Sequence, residues 1–207
     1  MTDPQDIPDP DELVVARTRA WLRRAVVGLN LCPFARAVDA KGQVRYVVSR
    51  AADPEALLAT LCVELQRLAD TDPAVVDTTL LVHPGVLTDF ADFNDFLEVA
   101  DAAVEDLGLD GVLQVASFHP QFQFADTEPD DVTNATNRAP YPTLHLLRED
   151  SVDRAVAAFP EAEAIFERNM ERLEALGSEG WAGVQAAWEA DARAEVDAAN
   201  GGPAPGS

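Results

Sequence analysis

Apolar residues recur along most of this chain at spacings that predict alternating helices and strands. The first helix is predicted to begin at Asp9 and Pro10, because aspartate suits the N-cap and proline suits the first helical position. It should end before Pro33, since the residue that precedes a proline avoids helical dihedral angles. An apolar stripe at helical spacing predicts that this helix packs on a core. Its members are Val14, Trp21, Leu22, Ala25 and Leu29.

Three strand segments follow, at residues 44–49, 78–82 and 112–118. Their β-branched and apolar content is typical of strands in a buried sheet. Helices are predicted between them, one opening at Asp53 and Pro54 and one over about residues 92–107. Helices of this length between strands favour parallel pairing through right-handed crossovers.

The pattern changes after residue 118. A polar stretch (119–142) leads to a fourth strand (143–148), and helices are predicted at 160–176 and 179–199. The fold class is therefore predicted as α/β, with α+β the alternative. We expect a mixed four-stranded sheet, built from β-α-β-α-β plus one antiparallel strand, with an N-terminal helix and a C-terminal helical pair. Residues 11–199 should form a single globular domain between disordered tails, the acidic 1–10 and 200–207.

The charge of the chain narrows the classes of partner. Its 37 acidic residues face 15 basic ones, for a formal net charge of -22, and Lys41 is the only lysine. Such a field repels nucleic acid and anionic lipid, so neither is an expected partner. The expected partner is a small-molecule ligand, which a crevice at the edge of the sheet would bind. The apolar runs are too short for a membrane span, and the first ten residues lack the features of a signal peptide. A cytoplasmic location with free Cys32 and Cys62 thiols is therefore expected, and the oligomeric state stays open.

The three histidines of the chain lie at predicted strand ends. His83 closes the second strand and His119 closes the third, and each is followed by a proline that keeps it extended. If those strands are parallel neighbours, both imidazoles face one crevice at the carboxyl edge, where α/β sheets bind ligands. His145 lies near the start of the fourth strand and joins them if that strand is antiparallel, which the absence of an intervening helix favours.

Three convergent neutral imidazoles would suit a transition metal such as zinc, iron or copper. The leading hypothesis is a metal-dependent enzyme, an iron oxidoreductase or a zinc hydrolase, with His83, His119 and His145 as ligands. Iron and zinc are the candidate cofactors. The spacing matches no sequential zinc motif, and the alternative is that each histidine is an ordinary hydrogen-bonded residue.

Two further residues are candidates for catalytic roles. Cys32 could be a fourth ligand, a nucleophile with a histidine as its base, or a small buried apolar residue. Arg138 lies in the long polar segment and could clamp a substrate carboxylate, although an ion pair with one of the many acids is the alternative. The hypothetical substrate is therefore a small, carboxylate-bearing molecule.

Two alternatives to the metal enzyme remain open at this point. One is a metal-free enzyme in which Cys32 attacks the substrate. The other is a non-catalytic module that binds a small ligand or a partner, with its histidines merely hydrogen-bonded.

Three segments of the chain resemble a bacterial family known as DUF1415, a domain of unknown function. They are residues 30–34 (NLCPF), 115–124 (VASFHPQFQF) and 134–148 (NATNRAPYPTLHLLR). The resemblance spans about residues 14–181 and implies a small, stand-alone bacterial cytoplasmic protein. It brings with it no activity, cofactor or residue role.

Overall fold

The computed structural model describes residues 9–158 and 164–201. The helices are α1 (Asp11–Trp21), α2 (Ala35–Ala40), α3 (Pro54–Asp70), α4 (Phe90–Asp106), α5 (Glu149–Ala158) and α6 (Ile165–Ala199). A π-helical turn, Leu22–Val27, continues α1, and a 3-10 helix spans Val132–Asn137. The strands are β1 (Val44–Val48), β2 (Thr78–Val82), β3 (Leu113–Phe118) and β4 (Thr143–Arg148). Most of both predicted tails, and the start of the helix predicted at 160–176, lie outside the described residues.

The four strands form one mixed sheet in the order β1-β2-β4-β3. β1 and β2 are parallel, while β4 is antiparallel to both of its neighbours, which confirms the predicted fold class and the direction of the fourth strand. The expectation that the second and third strands are neighbours was wrong, because β4 inserts between them. Its segment can occupy the centre of the sheet because Leu144 and Leu146 are fully buried on one face and the strand contains no proline.

One face of the sheet is covered by α3 and α4. Asp53 caps α3 by accepting a hydrogen bond from the backbone N–H of Ala56 at 2.8 Å, and Asp89 caps α4 in the same manner through Ala91. Leucines and phenylalanines at helical spacing then pack on the sheet. This core contains Leu57, Leu61, Leu65, Leu81, Phe93, Leu113, Leu144 and Leu146.

The other face is covered by α1 and α6. Its core contains Trp21, Leu80, Leu173, Trp181 and Trp188. The predicted Asp9 cap of α1 was wrong, because Pro10 occupies the N-cap and the Asp9 carboxylate instead accepts hydrogen bonds from Arg17 and Tyr141. Gly177, at φ 68° and ψ 171°, breaks α6 into two helical segments, which confirms the predicted helical pair.

The long polar segment between β3 and β4 is organised by one buried amide. The Asn134 side chain accepts hydrogen bonds from the Phe124 N–H and the Thr127 hydroxyl, both at 2.9 Å, and donates to the Glu128 carbonyl. Because it is fully buried and all three bonds reach one loop, the side chain replaces the contacts that a regular element would supply. The segment therefore has a fixed conformation that positions Arg138 and Tyr141.

Candidate functional site

His83 and His119 lie together beyond the carboxyl ends of β2 and β3. Both are fully buried, and both imidazole rings contact Phe93 of α4, with ring centroids 5.6 Å and 5.1 Å from its centroid. The pairing arises although β4 separates the two strands. β2 and β3 still run in the same direction, so their ends share one edge and the side chains reach across the gap.

His83 is held as one tautomer. Its Nδ1–H donates to the Val86 carbonyl at 2.9 Å, since a carbonyl oxygen can only accept. Its Nε2 then carries a lone pair that is buried and has no hydrogen-bond partner among the described residues. Burial lowers the pKa of His83 to about 4, so the imidazole is neutral at pH 7.

His119 is also hydrogen-bonded to the loop after β2, the loop that contains Val86 and Leu87. Its Nδ1 accepts a hydrogen bond from the Gln121 N–H at 3.0 Å, which leaves Nε2–H to donate to the Leu87 carbonyl at 3.3 Å. Burial lowers the pKa of His119 as well. Leu87 has a positive φ of 54°, an unusual conformation for a leucine, and the two histidines fix the carbonyls on either side of that strain. This arrangement favours a structural role for both rings.

His145 lies on the opposite face of the sheet. It pairs across the strands with Leu80 and Ala116, so these three side chains share one face. His83 lies three positions after Leu80, and His119 lies three positions after Ala116. Because successive side chains of a strand point to opposite faces, an odd number of steps places both rings on the face opposite to His145. The predicted antiparallel direction does bring His145 towards the correct edge, but the alternation of the strand turns its side chain away.

The three histidines therefore do not converge on one point. Among residues 9–158 and 164–201, no group of three or more histidine, cysteine, aspartate or glutamate side chains is arranged to hold a metal ion. His119 uses both of its ring nitrogens, and His83 offers only one. The pair does not fit the donor set of a zinc or iron centre.

His145 contributes instead to a large cavity. This sheet cavity has a volume of about 980 Å³ and lies between the sheet, α2 and α5. Most of its wall is apolar, with a few polar side chains set among the apolar ones. Its defining residues are Trp21, Cys32, Leu80, Ala116, Phe118 and His145.

His145 is one of several polar residues that line the sheet cavity. The Thr78 hydroxyl donates to the Leu146 carbonyl at 2.7 Å, so it can only accept from His145, whose Nε2–H lies 2.8 Å away. Nδ1 then keeps its lone pair, with no hydrogen bond from any described residue. Burial lowers the pKa of His145 to about 4, so this acceptor is present at neutral pH.

Cys32 lies in the wall of the same cavity. Burial raises the pKa of its thiol, while the backbone N–H groups of Phe34 and Ala35 act in the opposite direction. Since burial is the larger effect, the thiol is protonated at neutral pH. This environment differs from that of reactive cysteines, whose pKa is depressed by nearby positive charge.

The sheet cavity is lined by charges of both signs, two cations and the Asp77 carboxylate. Lys41, the only lysine of the chain, and Arg154 of α5 both line it. Neither makes an ion pair with a carboxylate of the described residues. The Arg154 guanidinium donates to Ser151 at 2.9 Å, and Ser151 donates to Asp77 at 2.6 Å.

Arg138 follows Asn137, whose carbonyl accepts a hydrogen bond from the His119 backbone N–H at 3.1 Å. The Arg138 guanidinium donates to the carbonyls of Phe122 and Pro129 at 3.1 and 2.6 Å, and it forms no ion pair with a carboxylate of the described residues. It therefore braces the β3–β4 segment and lines a second, smaller cavity, which it shares with Trp181 and Trp188. The sequence suggested that Arg138 lies beside a crevice, but it could not show which cavity of the fold that crevice is.

Sequence reasoning missed Thr78, Lys41 and Arg154. The isolation of Lys41 in an arginine-rich, acidic chain was the one available signal. Thr78 and Arg154 could not be found, because their relation to His145 depends on strand register and on the placement of α5.

Comparison with known proteins gives one match. The profile of a family described as a protein of unknown function, DUF1415, matches residues 13–183 of the 207-residue chain. No curated protein and no solved structure matches the chain. Within the described residues, no helix has the length and apolarity needed to cross a bilayer.

Proposed function

We propose that this chain, which belongs to the DUF1415 family, binds a mostly apolar small molecule with one acidic group in the sheet cavity. The observation that carries the proposal is the cavity itself, about 980 Å³ of largely apolar space whose polar lining residues include His145, with its unpartnered Nδ1 acceptor. That volume lies at the upper end of the range for small-molecule sites, which are concave and apolar with few polar groups.

The walls and the rim of the cavity support different parts of the ligand. Trp21, Leu80 and Phe118 offer apolar contact, and burial of a ligand CH₂ group contributes about 0.8 kcal/mol. Lys41 and Arg154 at the rim favour a carboxylate, which agrees with the expected carboxylate-bearing ligand. The lone pair of His145 Nδ1 favours a hydroxyl or N–H group on the ligand, because it can accept a hydrogen bond that no described residue donates.

The metal-enzyme hypothesis receives less support than ligand binding. A centre made of His83, His119 and His145 requires three nitrogens within about 2 Å of one ion, and His145 is on the other face of the sheet. The hypothesis of a Cys32 nucleophile also receives less support, since burial raises the pKa of that thiol. The absence of nucleic-acid partners remains an expectation from the charge of the chain, and a cytoplasmic location remains an expectation from its N-terminal sequence and its short apolar runs.

The proposal is tested by thermal unfolding and calorimetry with decanoate as the probe and decan-1-ol as its uncharged counterpart. Decanoate should raise the melting temperature and release heat on binding, because a ligand of the folded state alone stabilises it. Ala155→Phe, which fills the cavity from α5, should abolish both effects. Ala157→Phe, an exposed position on the same helix, is the matched control and should bind normally.

Two further variants test the contacts of the acidic group and of the apolar part of the ligand separately. Lys41→Gln should weaken decanoate and leave decan-1-ol unchanged, since only the acid interacts with the rim charge. His145→Gln should affect a hydroxylated decanoate more than decanoate itself. Binding of decanoate that is equal in wild type and in Ala155→Phe would show that the sheet cavity is not the site.

A further inference from the structure

A second cavity lies between α1, α6 and the β3–β4 segment. This tryptophan cavity has a volume of about 260 Å³, and its defining residues are Arg17, Arg138, Tyr141, Trp181, Gln185 and Trp188. Trp181 and Trp188 are almost completely buried and pack edge to face, with ring centroids 5.4 Å apart. They give the cavity rigid aromatic walls of the kind that accept a planar ligand.

The two arginines of this cavity differ in how their charges are compensated. Arg17 donates to the carboxylates of Glu189 and Asp9 at 2.8 and 2.5 Å, and to the Tyr141 hydroxyl at 2.7 Å. Two acids therefore neutralise Arg17, and its charge is not available to a ligand. Among the described residues, Arg138 donates hydrogen bonds only to neutral groups, the carbonyls of Phe122 and Pro129, while the Asp131 carboxylate acts on its charge without a hydrogen bond.

Several N–H groups of the Arg138 guanidinium have no hydrogen-bond partner among the described residues. Its Nε and one Nη2 proton are used by the two carbonyls, which leaves both Nη1 protons and the second Nη2 proton without a partner among the described residues. Nη1 and Nη2 together form the end-on fork that binds a carboxylate through two parallel hydrogen bonds. Burial lowers the pKa of Arg138, and a bound anion would offset that cost.

We propose that the tryptophan cavity is a second binding site that takes a small planar carboxylate, held by the end-on fork of Arg138 and by the rings of Trp181 and Trp188. This site is separate from the sheet cavity and does not depend on the function proposed for it. The net charge of -22 does not exclude an anion here, because salt at physiological strength screens exposed charges beyond about 8 Å. The charges close to the site then decide what binds, and they include the Glu189 and Asp131 carboxylates as well as Arg138.

The tryptophans provide a direct readout. The chain has three, so a ¹⁵N-labelled sample gives three indole N–H signals. Benzoate is the probe, and benzamide is its uncharged isostere. Benzoate should shift the Trp181 and Trp188 signals in a saturable manner. It should also shift the Trp21 signal, because that indole donates to the Arg138 carbonyl at 2.8 Å.

Three variants test the assignment. Arg138→Gln should weaken benzoate binding by about tenfold or more, which is the scale of a lost charge-assisted pair, and should leave the weak binding of benzamide unchanged. Gln185→Trp, at an exposed helical position that lines the cavity, should block benzoate without touching Arg138. Arg193→Gln removes an exposed charge from the same helix and should bind as wild type.

The results separate binding at this site from binding elsewhere. Equal benzoate affinity in wild type, Arg138→Gln and Gln185→Trp would overturn the proposal. Equal affinity for benzoate and benzamide in the wild type would overturn the role of Arg138. If Arg138→Gln unfolds the β3–β4 segment, Gln185→Trp still decides the matter, because its substitution lies on α6. Failure of decanoate to bind the sheet cavity would leave these outcomes unaffected.

Discussion

Acidification should destabilise this protein through His83 before its carboxylates titrate. The imidazole is fully buried, stacked on Phe93, and donates from Nδ1 to the Val86 carbonyl. A second proton would have to sit on Nε2, which has no acceptor within reach among the described residues. The folded state therefore resists protonation, whereas the unfolded state accepts a proton at the ordinary pKa of histidine.

The size of the effect follows from the two pKa values. The pKa of His83 is lowered from 6.5 to about 4 on folding, so the unfolded state binds more protons between these values and stability falls as the pH falls. The contribution is fully present above pH 6.5 and is lost progressively down to about pH 4. A difference of about 2.5 units sets a ceiling of about 3.4 kcal/mol, of which roughly 2 kcal/mol is lost by about pH 5.

The measurement is the free energy of unfolding from urea titrations at about pH 7.5 and about pH 5, for wild type and for His83→Asn. The Asn Nδ2 atom can replace the Nδ1–H donor to Val86, but it cannot titrate. The variant loses ring packing equally at both values, so only the difference between them reports on the imidazole. We expect that difference to be about 2 kcal/mol smaller in His83→Asn.

His145 provides an independent repetition of the same test. Its pKa is also lowered to about 4 by burial, and His145→Gln keeps an Nε2 donor for Thr78. The two variants lie on opposite faces of the sheet, so their effects on the pH difference should add. If both variants lose as much stability as wild type on acidification, the buried imidazoles are not its cause and the argument fails.

Three other predictions concern Cys32 in the wall of the sheet cavity, Asn134 in the β3–β4 segment, and two glycines. In a Cys62→Ala background, iodoacetamide should alkylate Cys32 more slowly than a free thiol near neutral pH, because burial raises the pKa of Cys32. Bound decanoate should slow this alkylation further, and alkylation as fast as that of glutathione would contradict the prediction. Asn134→Ala should lower the free energy of unfolding by about 3 kcal/mol, since it leaves buried loop partners without hydrogen bonds; a loss within urea-titration error would refute it. Gly28→Ala should destabilise the protein by about 1–3 kcal/mol, because the new Cβ would collide with a backbone carbonyl of the preceding turn. Gly183→Ala, in open space on α6, should instead stabilise the protein by about 0.5–1 kcal/mol. Equal effects of the two substitutions would contradict the packing argument.

The local pattern was sufficient for most of the elements. The strand at Thr78–Val82 and the capping of α3 by Asp53 were predicted correctly, because burial on both faces and the aspartate–proline start are local signals. α4 begins at Phe90 rather than near Asp92, since Asp89 supplies the cap. α2 was not predicted, because it is short and has no buried residues.

The candidate site was predicted only in part. His83 and His119 were correctly placed at one edge of the sheet, because each ends a strand of the same direction. Arg138 lies in the long polar segment, and the sequence could not show that the cavity it lines is completed by α6, far away in the sequence. Lys41 and Arg154 are brought to one rim by α2 and α5, whose positions relative to the sheet have no local signature.

The sequence by itself determined the strands and helices, the direction of β4 and the acidity of the surface, since these depend on periodicity, connection length and composition. Tertiary structure decided the strand order and the face on which each histidine lies. One inserted strand and one odd step in register separate His145 from His83 and His119, and hydrophobic periodicity does not encode either. The sheet cavity has the same origin, because it is the space left where α2 and α5 do not cover the sheet completely, and only packing defines such a space.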